Sequence, residues 1–388
     1  MNMPQSTPIT NREELQKYLQ VALQVEHATI PPYLTALYSI QADPVNNNLD
    51  SYNIIRAVVV EEMLHLTLAA NLLNAIGGAP DLTRKGFVPD YPAYLPTGES
   101  DFRVSLEKFS ESAIDTFLEI ERPDCPTKGK PVVKKNDVWY VKHADMSTGR
   151  KTGRGLLPSF VMKGSEGNDL HLHFWSIGDF YKAIRNGFSH LAEKMGEKEL
   201  FNGKEEYQVG PEYYHSSGGK ITKVTNLATA LEAIDLISGQ GEGSFGQIYD
   251  DEGELSHYYR FHQIKKRRYY RLKDDKKVPK EPGDKPDHPT GPEFKVNWDE
   301  VFPIKRDAKV SQFPAGSEIR EAALTFNREY KNFLAQINRA LNGKPSLLGP
   351  SFAGMFKIKE AVKRLIHNPL PTGKENAAPT FEIDEVAT

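Results

Sequence analysis

The sequence predicts a mostly α-helical protein: a four-helix bundle with a mixed strand-and-loop insertion between its second and third helices, and extra helices near the C-terminus. Three observations support this fold class. Long segments carry apolar residues at helical spacing. Two of these segments contain a Glu-x-x-His pair, Glu62 with His65 and Glu254 with His257. A proline-rich stretch, residues 81–172, separates the first two predicted helices from the rest.

The first two predicted helices place acidic residues opposite each other. The first begins near residue 11 and carries Glu26 on its apolar stripe. Pro31-Pro32 interrupts that stripe, so a kink or bulge is expected there. The second helix covers residues 51–76. Because a short polar connection joins the two helices, they should pack antiparallel, which brings Glu26 and Glu62 to facing surfaces.

The remaining chain divides into an insertion, a second helix pair and a C-terminal region. Short strand-like pieces in the insertion include a hairpin at 132–141, and we interpret the insertion as a lid that shapes substrate access. Residues 273–315 are rich in Pro, Lys and Asp, which predicts an extended segment that wraps over the surface. The other predicted helices are 174–195, 227–237, 254–269, 317–341 and 351–366. The predicted units are 1–80 (first helix pair), 81–172 (insertion), 173–270 (second helix pair) and 271–388 (wrap and C-terminal helices).

Composition restricts the partners and the compartment. With 39% hydrophobic and 26% charged residues and a net charge of -3, the chain predicts a soluble globular protein that binds neither nucleic acid nor an anionic membrane. It contains no apolar run of about 18 residues and no signal-peptide pattern at its start. Cys125 is the only cysteine, which excludes thiolate-rich metal sites and fits a reducing compartment. We therefore expect a cytoplasmic protein.

The two Glu-x-x-His pairs predict a dinuclear metal site inside the bundle. Residues three apart on a helix share a face, and burying several carboxylates and imidazoles without a cation would cost several kcal/mol per ion. Divalent cations remove that cost. The predicted ligands are Glu62 and Glu254 as bridging carboxylates, Glu26 and Asp179 as terminal carboxylates, and His65 and His257 with one metal each. Glu242, in a glycine-flanked turn, is the alternative or supplement to Asp179.

Ligands without sulfur favour iron or manganese. We expect two iron ions, with manganese or a mixed pair as the alternative, and a small-molecule substrate with dioxygen as co-reactant. A homodimer or a pathway enzyme is the expected protein partner.

His27 and Glu61 adjoin predicted ligands but point about 100° away from them on their helices, so we assign them outer or surface positions. Tyr33, Tyr181 and Tyr258 are interpreted as core aromatics, of which one could line the substrate pocket or relay an electron.

Five stretches carry a resemblance to a known family. They are Val25-Glu26-His27-Ala28-Thr29-Ile30-Pro31-Pro32-Tyr33-Leu34, Val60 to His65 with Asn71 to Gly78, Ile177-Gly178-Asp179-Phe180-Tyr181, Gln240-Gly241-Glu242-Gly243, and Glu254 to Phe261. With these, the chain resembles the ferritin-like family typified by the iminophenylpyruvate dimer synthase of violacein biosynthesis. The resemblance implies a ferritin-like bundle with a non-haem metal centre, of a kind often encoded in natural-product pathways. The family usually has Glu at the position of Asp179, whose side chain is one methylene shorter.

The functional expectation is a non-haem di-iron oxidoreductase that uses dioxygen or peroxide. The resemblance implies an amino-acid-derived imine or aromatic substrate, because the typifying enzyme couples two such imines. Two other classes remain open: iron storage or detoxification, and a metal-free scaffold in a biosynthetic complex. The long insertion and the C-terminal extension argue against the compact subunit that a ferritin cage requires.

Overall fold

The structure is a computed structural model. It describes residues 9–41, 47–95, 102–123, 132–135, 138–141, 160–162, 170–172, 177–214, 218–241, 248–249, 253–277 and 289–385. The α-helices are α1 (Arg12–Ser39), α2 (Leu49–Ala75), α3 (Glu111–Ile120), α4 (Ile177–Met195), α5 (Glu197–Leu200), α6 (Leu227–Gln240), α7 (His257–Lys266), α8 (Glu318–Leu341) and α9 (Leu348–Ile366).

The strands described in the insertion form two antiparallel pairs. Strand β1 (Val132–Lys135) pairs with β2 (Val138–Val141), and Val132 lies opposite Val141. Strand β3 (Phe160–Met162) pairs with β4 (Leu170–Leu172). Each pair joins neighbouring segments of the chain, so these strands form two local antiparallel pairs.

Helices α1 and α2 pack along each other and form the centre of the fold. One pair of helices, α4 and α6, packs on this centre through α1 and α2 respectively. A second pair, α3 and α7, also contacts both central helices. Aromatic residues fill both junctions: Tyr18 of α1 stacks on Phe180 of α4, and Tyr33 packs against Phe117 of α3 and Phe261 of α7. Side chains of the central helices α1 and α2 therefore contact both the α4/α6 pair and the α3/α7 pair.

The prolines of α1 are accommodated inside a continuous helix. Pro32 has no N–H, so the carbonyl of Ala28, four residues earlier, loses its helical donor. The hydroxyl of Tyr91 donates to that carbonyl at 2.7 Å. A side chain from outside the helix thus replaces the missing backbone donor, and α1 continues to Ser39.

Two predictions for the helices were wrong in ways that affect the site. The stretch 111–120, predicted as part of a strand-and-loop lid, is the helix α3, which begins at a Ser110 cap. The predicted helix 254–269 is shorter, because α7 begins only at His257. Glu254 therefore precedes the helix, and its three-residue spacing from His257 is not a helical turn.

Among the helices that the structure describes, none is long and apolar enough to cross a membrane.

Candidate metal centre

Three buried side chains from the central helices form the first group, which we call the His65 triad: Glu26, Glu62 and His65. Nδ1 of His65 lies 3.5 Å from Oε2 of Glu26 and 3.9 Å from Oε1 of Glu62. One ligand atom from each residue lies within 4.8 Å of the others. Glu62 and His65 share a face of α2 because they are three residues apart, and α1 supplies Glu26 from the facing helix.

A second group shares Glu62, and we call it the His257 triad: Glu62, Glu121 and His257. Nδ1 of His257 lies 3.0 Å from Oε1 of Glu62 and 3.5 Å from Oε2 of Glu121. Ligand atoms of this group also lie within 4.8 Å of one another. Glu121 follows the last residue of α3, and His257 is the first residue of α7. The two triads together form the carboxylate–histidine cluster.

Each triad has one carboxylate that is not shared, Glu26 or Glu121, which we call its terminal carboxylate. A tyrosine hydroxyl donates to each of these two. Tyr181 of α4 donates to Oε1 of Glu26 at 2.5 Å. Tyr33 of α1 donates to Oε1 of Glu121 at 2.5 Å. In both cases the other carboxylate oxygen, Oε2, is the one that faces the histidine. Thr29 donates to Oε2 of the shared Glu62 at 2.9 Å. Each carboxylate is therefore oriented by a hydroxyl from a neighbouring turn or helix.

Each histidine is held through the ring nitrogen that points away from the cluster. Nε2–H of His65 donates to Oε1 of Gln240 at 3.1 Å, and the Gln240 amide donates to the carbonyl of Gly218 at 2.8 Å. Nε2–H of His257 donates to Oε2 of Glu61 at 2.8 Å. Because Nε2 carries the hydrogen in both rings, each Nδ1 presents its lone pair to the carboxylates when the ring is neutral.

Arg260 extends the network behind His257. Its guanidinium donates to both oxygens of Glu61 at 2.9 Å and to Glu254 at 2.9 Å. Burial alone would raise the pKa of Glu61, but the hydrogen bonds and charges of His257 and Arg260 lower that pKa below its ordinary value. Glu61 is therefore an ionised acceptor for His257.

Without a bound cation, the pKa values of His257, His65 and Glu62 are all raised, so these groups favour their protonated forms. Burial opposes the charged form of His257, but the surrounding carboxylates, Glu121 first, raise the pKa of His257 well above its ordinary value. Glu26 and Glu62 likewise outweigh burial and raise the pKa of His65. Burial and the charge of Glu121 raise the pKa of Glu62. Divalent cations would replace these protons and neutralise the same carboxylates.

Two further observations show that the cluster fits metal ions. Nδ1 of His257 is buried and completes no hydrogen bond of acceptable geometry, although carboxylate oxygens surround it. A cavity of about 20 Å³ lies against Glu26, Glu62, His65 and Glu121, enough for one or a few atoms. Carboxylates and imidazoles without thiolates are a donor set suited to iron or manganese.

Comparison with known proteins agrees with this geometry. The family model described as ferritin-like matches residues 19–266, more than half of the chain. The chain belongs to the ferritin-like family. A crystal structure of a ferritin-like protein from Caulobacter vibrioides has a TM-score of 0.55 with 23% sequence identity, and the match covers 96% of this chain and 99% of that one. This similarity confirms the predicted ferritin-like fold.

A biosynthetic enzyme is also similar to this ferritin-like chain. Dichlorochromopyrrolate synthase from Lentzea aerocolonigenes is 24% identical over 429 aligned positions, which include 98% of this chain. The chain spans 37% of the length of that relative.

The structure brings together four of the seven predicted ligands: Glu26, Glu62, His65 and His257. Asp179 lies in the first turn of α4 with its side chain 29% exposed and 3.9 Å from Lys182. It is not a member of either triad. Glu242 lies outside the described residues.

Glu254 is also placed apart from the cluster. Its side chain is 50% exposed and pairs with Arg260, because the chain before α7 is not helical. Arg260 and Glu61 link Glu254 to His257.

The sequence reasoning missed Glu121. This residue lies in the segment predicted as a lid, and no Glu-x-x-His pair marks it. The available signal was the helical pattern after Ser110, in which Ile114, Phe117 and Glu121 are spaced three and four residues apart. A carboxylate that continues such an apolar stripe is the same kind of signal that identified Glu26.

Proposed function

We propose that this protein is a non-haem dinuclear-metal oxidoreductase, with iron as the resident metal, that acts with dioxygen or peroxide on a small organic substrate. The observation that supports this proposal best is the pair of buried triads that share Glu62. Glutamates and histidines that project inward from the helices hold two neighbouring cations in ferritin-like di-metal bundles, and the two triads together supply three such glutamates and two such histidines.

The side chains have distinct proposed tasks. Glu62 would contact both cations, Glu26 and His65 would hold one, and Glu121 and His257 would hold the other. The bound iron pair would supply the redox chemistry that amino-acid side chains lack. Tyr181 and Tyr33 donate hydrogen bonds to the outer oxygens of Glu26 and Glu121 respectively, so these hydroxyls fix the direction in which each carboxylate presents its other oxygen.

The ends of α4 and α6 form the side from which we propose that the substrate approaches. Here the cavity is lined by Ile177, Gly178, Ile237, Ser238 and Gly241, none of which carries a charge. Glycine at two of these positions leaves the backbone accessible, which allows close approach of a ligand. A cavity of about 20 Å³ admits one small molecule, so the organic substrate would lie outside the cluster against this apolar wall.

Similarity to known proteins supports our proposal for the substrate class. The 24%-identical relative is a synthase of dichlorochromopyrrolate, and the sequence motifs resemble those of the iminophenylpyruvate dimer synthase family. We propose an amino-acid-derived imine or aromatic as substrate, in natural-product biosynthesis. The uncharged wall between α4 and α6 is compatible with a flat, weakly polar compound of this kind.

Anaerobic loading with Fe(II), followed by metal analysis and exposure to oxygen, tests this proposal. We expect about two iron ions per chain and an absorbance change that depends on oxygen. The Glu62→Gln variant is the control, and it should show neither bound iron nor the oxygen-dependent absorbance change. Retention of less than about one metal ion per chain, together with an unchanged spectrum after oxygen exposure, would contradict a dinuclear redox centre.

A further inference from the structure

The two triads have matching inner contacts. Each combines a terminal carboxylate, the shared Glu62 and one histidine Nδ1. Each terminal carboxylate accepts one tyrosine hydroxyl at 2.5 Å through its Oε1. Every histidine and carboxylate side chain in the cluster is at most 4% exposed. Burial and the number of ligands therefore do not distinguish one triad from the other.

The residues behind the two histidines do differ. His65 donates to the neutral amide oxygen of Gln240 at 3.1 Å. His257 donates to the carboxylate of Glu61 at 2.8 Å, and the guanidinium of Arg260 donates to both oxygens of that carboxylate at 2.9 Å. A hydrogen bond to an ionised acceptor is about twice as strong as one between neutral groups. The carboxylate therefore withdraws the Nε2 proton more strongly, and this increases the electron density that Nδ1 can offer to a cation.

Gly218 lies against both outer partners, Gln240 and Glu61. The carbonyl of Gly218 accepts from the Gln240 amide, and a Cβ at Gly218 would lie 2.4 Å from Oε1 of Glu61. This residue has a φ of +93°, a conformation that favours glycine. On α2, Asn71 binds the backbone of Val209 and Thr222, which precede and follow Gly218 in the sequence. Gln240 is held by the carbonyl of Gly218, and Glu61 is held by the two hydrogen bonds from Arg260.

We propose that Glu61 and Gln240 make the two metal positions unequal, so that the His257 triad binds its cation first and more tightly than the His65 triad. This inference rests on the proposed metal centre and assigns Glu61 and Gln240 as positioning residues that act through the histidines. Replacement of an outer partner of a metal-bound histidine typically changes metal affinity by about 10- to 100-fold. A difference of about tenfold or more between the two binding steps is therefore expected.

Calorimetric titration of the metal-free full-length chain with Mn(II), which does not oxidise under these conditions, tests the inference. The wild-type protein should bind Mn(II) in two resolved steps. His257→Gln should remove the tighter step, and His65→Gln should remove the weaker one. A single step in the wild type, or loss of the tighter step in His65→Gln, would overturn the proposed order. Absence of any Mn(II) or Fe(II) binding would instead contradict the metal centre itself.

Glu61→Gln is the decisive variant, because it gives His257 the same kind of partner that His65 already has. We expect the tighter step to weaken by about tenfold while the weaker step stays unchanged, so that the two steps merge. Equal weakening of both steps would show that Glu61 has only a structural role.

Glu61→Gln also leaves the buried guanidinium of Arg260 with one fewer carboxylate, which could destabilise the fold. The double variant Glu61→Gln/Arg260→Met removes both charges together and should give the same merged isotherm. Circular dichroism and thermal unfolding of the metal-free forms identify any variant that has not folded. Two resolved steps of wild-type affinity in the folded double variant would overturn the inference.

Discussion

The two triads are built from different kinds of helix position. The His65 triad lies on the middle turns of α1 and α2, where neighbouring turns hold each side chain. The His257 triad takes Glu121 from the end of α3 and His257 from the start of α7. Helix ends are less constrained by the helix itself, and here the hydrogen bonds of Tyr33 and Glu61 supply the constraint. Both triads have outer hydrogen bonds, but the His65 triad is also positioned by the middle turns of two long helices, whereas the His257 triad depends more on its outer hydrogen bonds.

Glu62 is shared by both triads, so its replacement should affect metal binding at both of them. Glu62→Gln is expected to abolish binding of both cations, because each triad would lose a ligand. The metal-free variant should unfold at a temperature no lower than the wild type, since burial and Glu121 already disfavour the charge on Glu62. Metal analysis and thermal unfolding with and without Mn(II) measure both effects. Glu119→Gln, an exposed change on α3, is the control, and retention of one tightly bound cation in Glu62→Gln would contradict the shared role.

The second prediction compares Glu121, a proposed ligand, with Glu254, which lies outside both triads. Glu121→Gln should remove binding at the His257 triad and leave about one cation per chain. Glu254→Gln should change affinity by less than about tenfold, because the half-exposed Glu254 pairs with Arg260 and is not a member of either triad. Calorimetric titration of both variants measures the difference. A larger loss in Glu254→Gln than in Glu121→Gln would restore the sequence-based assignment of Glu254 as a ligand.

This contrast also explains which parts of the site the sequence could predict. Glu26, Glu62 and His65 lie on long helices whose apolar periodicity covers many turns, so their common direction could be inferred from spacing alone. His257 was identified through its spacing from Glu254, although the helix starts at His257 and the spacing has no helical meaning there. Which of these residues bind a metal remains a prediction.

The fold was more predictable than the pairing of its helices. Periodicity and capping residues located the long helices, and a polar turn predicted the antiparallel pairing of α1 with α2. The ten-residue helix α3 lies between proline-rich segments, where local signals favoured loops and strands. Its packing against α7 depends on contacts between distant parts of the chain, which spacing does not encode. For the same reason the partnership of Glu121 with His257 could not be read from sequence.

A third prediction tests whether the outer hydrogen bonds matter more at helix ends. Tyr33→Phe and Tyr181→Phe each remove one hydroxyl donor to a buried carboxylate while keeping the ring. A hydrogen bond to a charged group contributes about 1.5–3 kcal/mol, so each variant should weaken Mn(II) binding at its own triad. We expect Tyr33→Phe to have the larger effect, because Glu121 is at a helix end. Titrations of both variants measure the two steps, and equal losses would show that helix position does not matter.

The smallest expected effect concerns the connection between the triads along α1. Glu26 is a member of the His65 triad, Tyr33 donates to Glu121 of the His257 triad, and the two residues lie on either side of Pro31-Pro32. Tyr91→Phe would leave the carbonyl of Ala28 without the donor that replaces the missing N–H of the helix. We expect the free energy of unfolding to fall by about 1 kcal/mol, with metal affinity changed by only a few-fold, since packing still holds the helix.

Urea denaturation of the metal-free protein and Mn(II) titration measure the two quantities for Tyr91→Phe. Tyr330→Phe is a matched control, because the Tyr330 hydroxyl of α8 contacts His27 of α1, the neighbour of Ala28, at 2.9 Å and outside the cluster. If Tyr91→Phe weakens one binding step far more than the other, the proline-containing turn sets the register between the triads. If both steps and the stability remain at wild-type values, the Ala28 carbonyl does not depend on Tyr91, and the helical path of α1 is maintained by packing alone.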